Sequence, residues 1–299
     1  MQVLLAGSSG FLGSHLADAL RADGHDITQL VRRAPTSGDE VRWDPYNGRL
    51  PQAVVDQADV VVNLAGSPTA GNPHSSTWAH DLRESRVTTT LVLAEAVARS
   101  HRFGTGHAAY VAGSAMAYYG DHGNELVDET GSSNGGSFMT SVVREWEAAT
   151  MPARRAGARV ALVRTAPVMD RTSAPLRQML PVFKLGLGAR LGDGRQYFPM
   201  ISLRDWVGGV RHLVHNDISG PANLCCPITP TNAEFTDALA QAVGRRARLG
   251  VPAKLLELGA GRVSPELLGS TRLRPEVLPD AGYIFRDHDV RDVLAAALG

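Results

Sequence analysis

The chain has 299 residues, enough for one large α/β domain or two smaller units and for a sizeable buried core. Its 30 basic and 30 acidic residues cancel to a formal charge of zero, which argues against nucleic acid or an anionic membrane as partner. No apolar run approaches the roughly 20 residues that span a bilayer, no basic stretch precedes the first apolar residues as in a signal peptide, and the adjacent Cys225 and Cys226 suit neither a disulfide framework nor a metal site, so a cytoplasmic protein is expected.

Val3 to Ala6 reads as a short buried strand. Gly7, Gly10 and Gly13 come next, and Leu16, Ala17, Ala19 and Leu20 then recur at helical spacing. Strand, glycine turn and helix open a dinucleotide-binding unit. Gly7 permits the tight turn, Gly10 lets the backbone approach a pyrophosphate, and Gly13 lets helix and strand pack closely. Free N–H groups at the helix start then face the anion, so Ser9, Phe11 and Leu12 join the three glycines as candidate cofactor contacts.

Gly24 ends this helix and Asp26 to Val31 reads as a second strand. An acidic residue about 20 residues past the glycines would bind the ribose hydroxyls of NAD. Arg32 and Arg33 stand there instead, and guanidinium groups match a phosphate. NADP, as NADPH, is therefore the expected cofactor, with one of the two arginines expected to be a solvated surface group.

Val41 to Trp43 is a candidate short strand and Asp59 to Ala65 a buried one. Its end, Asn63 to Gly66 with Leu64 and Ala65 between, is expected to face the cofactor through the backbone. Gly66 to Trp78 lacks periodicity and reads as a mobile loop over the site. A helix is predicted over 81–100, a strand over 108–114, a helix over 138–156 that Pro152 ends or kinks, and a strand over 159–165. Beyond Ala166 the alternation weakens. Asp205 to His215 reads as a helix returning to the sheet, Ala222 to Cys226 as an edge strand, and Thr231 to Val243 as a helix with Thr231 and Glu234 spaced as a capping box. Residues 249–299 read as a small helical region. The expectation is a doubly wound, Rossmann-type parallel sheet formed by 1–165 with about 201–226, and a smaller, mostly helical substrate-side region formed by 166–200 and 227–299.

Several segments carry a resemblance from nearly end to end: AGSSGFLG (6–13), VVNLAG (61–66), ESRV (84–87), GSAMAYYG (113–120), FMTSVVREWEAA (138–149), FKLGLGARLGDGRQ (183–196) and RLRPEVLPDAGYIFRDHDVRDVLAAAL (272–298). They resemble the extended, atypical short-chain dehydrogenase/reductase superfamily in its nucleotide-sugar-epimerase-like branch. More closely, they resemble the epimerase family proteins that end in a C-terminal module of unknown function. The resemblance implies a Rossmann domain binding NADP and a C-terminal substrate side. It also implies cofactor- or substrate-facing roles for Ser85 and Arg86, the alternative for Arg86 being an ion pair with Glu84 or Asp81.

In that superfamily hydride transfer uses a serine or threonine after the fifth strand and a Tyr-x-x-x-Lys on the next helix. The lysine lowers the tyrosine pKa from about 10 toward the working pH. Ser114 fills the serine position, but Phe138 falls at the tyrosine and Val142 at the lysine, and neither transfers a proton. Tyr118 and Tyr119, in the loop just past the strand, are the candidate replacements, not separable by sequence. Without a nearby lysine such a phenol serves better as acid than as base, which suits reduction.

Arg164 ends a strand where a phosphate or carboxylate would lie, and Arg195 comes just after the glycine run. His122 reads as a solvated loop histidine. His212 and His215 have metal-ligand spacing but no evident third ligand, so no metal is expected. The reading is an NADP(H)-dependent oxidoreductase or epimerase-like enzyme acting on a small organic substrate. The alternatives are an NADP(H)-binding regulator without turnover, and a non-redox isomerase, cyclase or dehydratase. The helices over 81–100 and 138–156 offer either a homodimer face or core.

Overall fold

Successive side chains of a strand point to opposite faces, and the first strand uses both. In the computed structural model, which describes residues 1–47 and 50–299, Val3 and Leu5 of β1 (Gln2–Ala6) enter one apolar core and Leu4 and Ala6 another. A strand buried on both faces belongs in the middle of a parallel sheet covered by helices. β1 indeed pairs on one side with β2 (Asp26–Val31), beyond which lies β3 (Glu40–Arg42). On its other side it pairs with β4 (Val60–Asn63), and β5 (Ala109–Ala115), β6 (Val160–Thr165) and β7 (Gly220–Leu224) extend the sheet from there. The seven strands are parallel. The winding reverses between β1 and β4, and their C-terminal ends frame the crevice where doubly wound sheets take ligands.

Helix α1 (Phe11–Ala22) covers one face, sending Leu16 and Leu20 into the core that also holds Val62, Val111 and Val163. The short α2 (Gln52–Asp56) and the long α3 (Ser76–Phe103) cover the other, where Val55, Leu93 and Val97 meet Leu4, Val61 and Tyr110. The 81–100 helix thus starts five residues earlier than the apolar pattern suggests. Ser75 Oγ accepts from the Trp78 N–H at 3.2 Å and caps it there. The helical stretch 138–156 is two helices, α4 (Phe138–Ala148) and α5 (Met151–Arg155). Pro152 sits in the first turn of α5, where its missing N–H costs nothing, so it starts a helix rather than kinking one.

Beyond β6 come α6 (Ala174–Lys184), α7 (Leu203–His215), which packs on α1, and α8 (Asn232–Ala242), whose N-terminus carries the expected capping box of Thr231 and Glu234. The edge strand runs Gly220–Leu224, two residues ahead of its predicted span. After Leu249 the chain forms α9 (Ala253–Ala260), α10 (Ser264–Leu268), α11 (Val277–Asp280) and α12 (Val290–Leu298). A separate core of Leu176, Phe183, Phe235, Leu239, Val293 and Leu294 joins α6, α8 and α12. Two small strand pairs tie this segment back: Leu249–Val251 lies beside Ala189–Leu191, and Arg272–Leu273 beside Leu126–Val127. Among the described residues no helix is long and apolar enough to cross a membrane.

Candidate functional site

Two of the three glycines are sterically required. Gly7 has φ +85°, and a Cβ there would stand 2.6 Å from the Leu64 carbonyl carbon. A Cβ on Gly13 would collide with the Gly7 carbonyl oxygen. Gly10 closes the turn by donating to Gly7 O at 3.0 Å. Gly10 is also the N-cap of α1, so no side chain satisfies the first amides, and no acidic residue occupies the first turn. The N–H groups of Phe11, Leu12 and Gly13 are left facing the crevice without intrahelical acceptors. A cradle lined by backbone donors and cleared of side chains fits a diphosphate.

The β4 end forms the opposite wall. Asn63 is fully buried, donates to Thr90 Oγ1 at 2.9 Å and accepts from the Ala65 N–H at 3.1 Å. It thereby fixes the turn through Leu64, Ala65 and Gly66. Ser85 and Arg86 brace the loop from Ser67 to Thr69: Ser85 Oγ accepts from Ser67 N at 2.9 Å, and Arg86 donates to Ser67 O at 3.1 Å and Thr69 Oγ1 at 3.1 Å. Arg86 pairs with neither Glu84 nor Asp81. Among the described residues it has no carboxylate partner, and burial lowers its guanidinium to about 10. A cation enclosed beside Gly66 without a counter-charge is a standing attraction for an anionic ligand.

The two arginines after β2 divide. Arg33 forks onto Glu40, with Nη1 2.7 Å from Oε2, and Glu40 also accepts from the Thr36 N–H at 2.7 Å. The bond from Arg33 holds the Glu40 carboxyl at about 2. Arg33 is thus held by Glu40 at the surface. Arg32 is exposed and makes no hydrogen bond or ion pair among the described residues.

The candidate catalytic residues separate as sharply. Ser114 Oγ donates to Glu147 Oε1 at 2.6 Å. Arg164 donates to both oxygens of the same carboxylate, from Nε at 2.9 Å and Nη2 at 3.0 Å. It also donates to the Tyr119 hydroxyl at 2.9 Å, which in turn donates to Asn223 Oδ1 at 2.7 Å. Ser114, Tyr119 and Arg164 are all buried, and burial pushes the Tyr119 phenol upward. This closed network joins β5, β6, β7 and α4. Ser114 and Tyr119 are thus engaged inside the fold, and the carboxylate that Arg164 meets is that of Glu147. Tyr118 is the tyrosine that remains. It is partly exposed and its hydroxyl has no partner among the described residues, while its ring lies on the Arg164 guanidinium, 3.6 Å from centroid to Cζ.

Phe138 and Val142 fill an apolar cluster with Trp78, Leu82, Ala117 and Val263, the Trp78 and Phe138 rings 5.9 Å apart. Glu147 was not singled out from the sequence. Its signal was an acid four residues past Val143, on the buried stripe of an amphipathic helix.

The remaining candidates lie elsewhere. Arg195 is exposed, and His122 Nε2 sits 3.0 Å from Ser132 O. His212 turns to Ala281 O at 3.0 Å, whereas the His215 and His25 rings bring Nε2 atoms within 2.6 Å beside Asp23. Arg211 already holds that aspartate through a 2.7 Å bond from Nε, and the group sits at the N-terminal end of β2, remote from the crevice.

A winding reversal over a glycine cradle at the C-terminal ends of the strands defines a Rossmann fold of the dinucleotide-binding type. The comparisons sharpen this class. Residues 3–140 match the NAD dependent epimerase/dehydratase family and residues 251–297 a domain of unknown function, DUF1731. The chain is 40% identical over 297 residues to the epimerase family protein Mb2239 of Mycobacterium bovis, covering 99% of this chain and 97% of that one. It is 27% identical to the epimerase family protein SERP0438 of Staphylococcus epidermidis, covering 97% of each. Human epimerase family protein SDR39U1, solved with NADPH, superposes with a TM-score of 0.87 at 30% identity, covering 99% of both chains. The chain belongs to the epimerase family within the NAD dependent epimerase/dehydratase fold.

Proposed function

We propose that this protein is an NADP(H)-dependent oxidoreductase that reduces a small organic carbonyl compound. The observation that carries the reading is the cradle of Gly7, Gly10 and Gly13, with Arg32 following the neighbouring strand β2, exposed and without a partner among the described residues. That the human relative was solved with NADPH supports the phosphorylated cofactor. On this reading the amides of Phe11 and Leu12 bind the diphosphate, Ser9 lines its path, Arg32 takes the ribose phosphate, and Leu64 to Gly66 press their backbone against the cofactor. Arg86 supplies positive potential. The reduced nicotinamide, when bound, supplies hydride to an electrophilic carbon. Tyr118, positioned by the Arg164 stack, holds the carbonyl oxygen by its free hydroxyl.

Two units divide the labour: 1–165 with 201–226 takes the cofactor, and 166–200 with 227–299 faces the substrate. The enzyme is read as cytoplasmic, with a homodimer through the outer faces of α3 and α4, an assembly that a single-copy mass in light scattering would reject. Calorimetry with NADPH and NADH, then NADPH oxidation over a panel of aldehydes and ketones, tests the whole. Tight NADPH binding with turnover supports it, and indifference to both nucleotides sinks it. One observation favours a second reading: Phe138 and Val142 leave the usual proton-transfer position apolar. A regulator that senses NADP(H) without turnover, acting through a partner protein, would bind NADPH and reduce nothing in the panel.

A further inference from the structure

The segment C-terminal to β7 reaches back over the crevice. His74 Nε2 lies 3.2 Å from Gly259 O at the end of α9, and Arg262 donates to His74 O at 3.3 Å. Val263 enters the apolar cluster around Phe138. One turn later, on α10, Glu266 meets the N-terminus of α4: its Oε1 accepts from Ser137 Oγ at 2.7 Å, one residue before Phe138. Its other oxygen, Oε2, is enclosed and has no hydrogen-bond partner among the described residues.

The same holds for the indole N–H of Trp78, which packs against Phe138 from the other side and lies beneath Gly71 of the covering loop. Enclosed polar atoms normally find partners, and those that do not call for an explanation. Here two of them belong to residues next to Phe138, which fills the superfamily's tyrosine position: the Trp78 ring packs on the Phe138 ring, and Glu266 is bonded to Ser137, the preceding residue. Burial raises the Glu266 carboxyl above the usual carboxylate range, which favours the proton-bearing form.

We propose that Glu266 is the proton donor of this site, delivered by the C-terminal segment to the position where Phe138 carries no acid, with the Trp78 N–H as a second donor to the same substrate oxygen. The proposal rests on the oxidoreductase reading and completes its chemistry. The carbonyl carbon accepts hydride from the reduced nicotinamide and the C=O π pair moves to oxygen. That oxygen takes the proton from Glu266 Oε2, leaving an alcohol, oxidised nicotinamide and a Glu266 carboxylate that water reprotonates. The lining sets the substrate class. Trp78, Phe138 and Val263 are partly buried apolar side chains on a fully buried base of Leu82 and Val142, and the two unpartnered polar groups are the Trp78 N–H and the Glu266 carboxyl, the latter bonded to Ser137. A neutral ketone or aldehyde with an apolar flank fits, and a carboxylate does not.

Glu266→Gln keeps the shape and the acceptor for Ser137 while removing the acid. The side-chain carbonyl carbons of labelled glutamates are titrated by NMR, with and without NADPH, the variant assigning Glu266. NADPH oxidation is monitored over the carbonyl panel across the neutral range. Glu266 is expected to titrate above the ordinary glutamate value and to shift when NADPH fills the crevice. The variant is expected to bind NADPH unchanged and to lose about a hundredfold or more in reduction rate. A Glu266 signal in the ordinary carboxylate range in both states, or a variant that reduces the panel at the unmodified rate, overturns the proposal. If the unmodified protein binds NADPH but reduces nothing, the oxidoreductase reading fails on its own, and the titration still decides against Glu266 when it is ordinary and indifferent to NADPH.

Discussion

The Arg164 guanidinium carbon lies 3.6 Å from the centre of the Tyr118 ring, and Glu147 holds the same cation through a 2.9 Å ion pair. The only outward-facing phenol of the network is thus fixed in orientation by an ion pair that is itself buried. Removing one member of such a pair leaves the other charged and enclosed. Glu147→Ala is expected to cost about 3–5 kcal/mol of unfolding free energy, measured by chemical denaturation.

The two tyrosines are expected to part company on substitution. Tyr119→Phe strips a partner from Arg164 and from Asn223 and should destabilise by about 1–3 kcal/mol. Tyr118→Phe removes a hydroxyl with no partner among the described residues, so its melting temperature should stay within error of the unmodified protein while turnover on the carbonyl panel falls. A matching loss of stability in both variants would count against their separation.

Cofactor choice should depend on Arg32 alone. Arg32→Ala is expected to weaken NADPH by about ten- to a hundredfold relative to NADH, the worth of one charge-assisted contact at about 1.5–3 kcal/mol. Arg33→Ala, whose arginine is spent on Glu40, should leave the ratio unchanged in calorimetry. Equal affinities in the unmodified protein would reject the assignment.

Stability should carry the mark of its buried carboxyls. Burial raises Glu266 and Glu129 in the folded chain, so the folded state holds these protons more tightly than the unfolded one. The stability that these two groups contribute is then greatest below the unfolded glutamate value of about 4.3. It falls as pH rises from there through the raised folded values. Denaturation midpoints across that window should decline less steeply in Glu266→Gln than in the unmodified protein, though not vanish, since Glu129 remains. Identical slopes would mean that Glu266 titrates alike in both states.

The legible parts were those decided locally. Gly7 and Gly13 announce themselves because a turn and a helix start within seven residues impose their steric demands on neighbours in sequence. The capping box at Thr231 and Glu234 is equally local. Pairing at a distance escaped. Which of Arg32 and Arg33 is spent depends on Glu40 across a strand pair. Ser114 holds its expected position in sequence, but strand alternation aims its hydroxyl at α4, where Glu147 takes it. Tyr118 and Tyr119 are neighbours in a short turn, and the distant partners Arg164 and Asn223 take the hydroxyl of the second into the fold. Glu266 and Ser137 are brought together by docking of a segment with no local reason to be there.

The cradle for the diphosphate is complete by Gly66, whereas Glu266 lies far downstream in sequence. During translation the means to grip the nucleotide therefore leaves the ribosome long before the acid does. On the proposed reading, proteolytic trimming from the C-terminal side would remove that acid and, with it, Leu278 and Phe285, which share a core with Leu16 and Leu20 of α1, so a clipped product would lose turnover and loosen the nucleotide-gripping part as well.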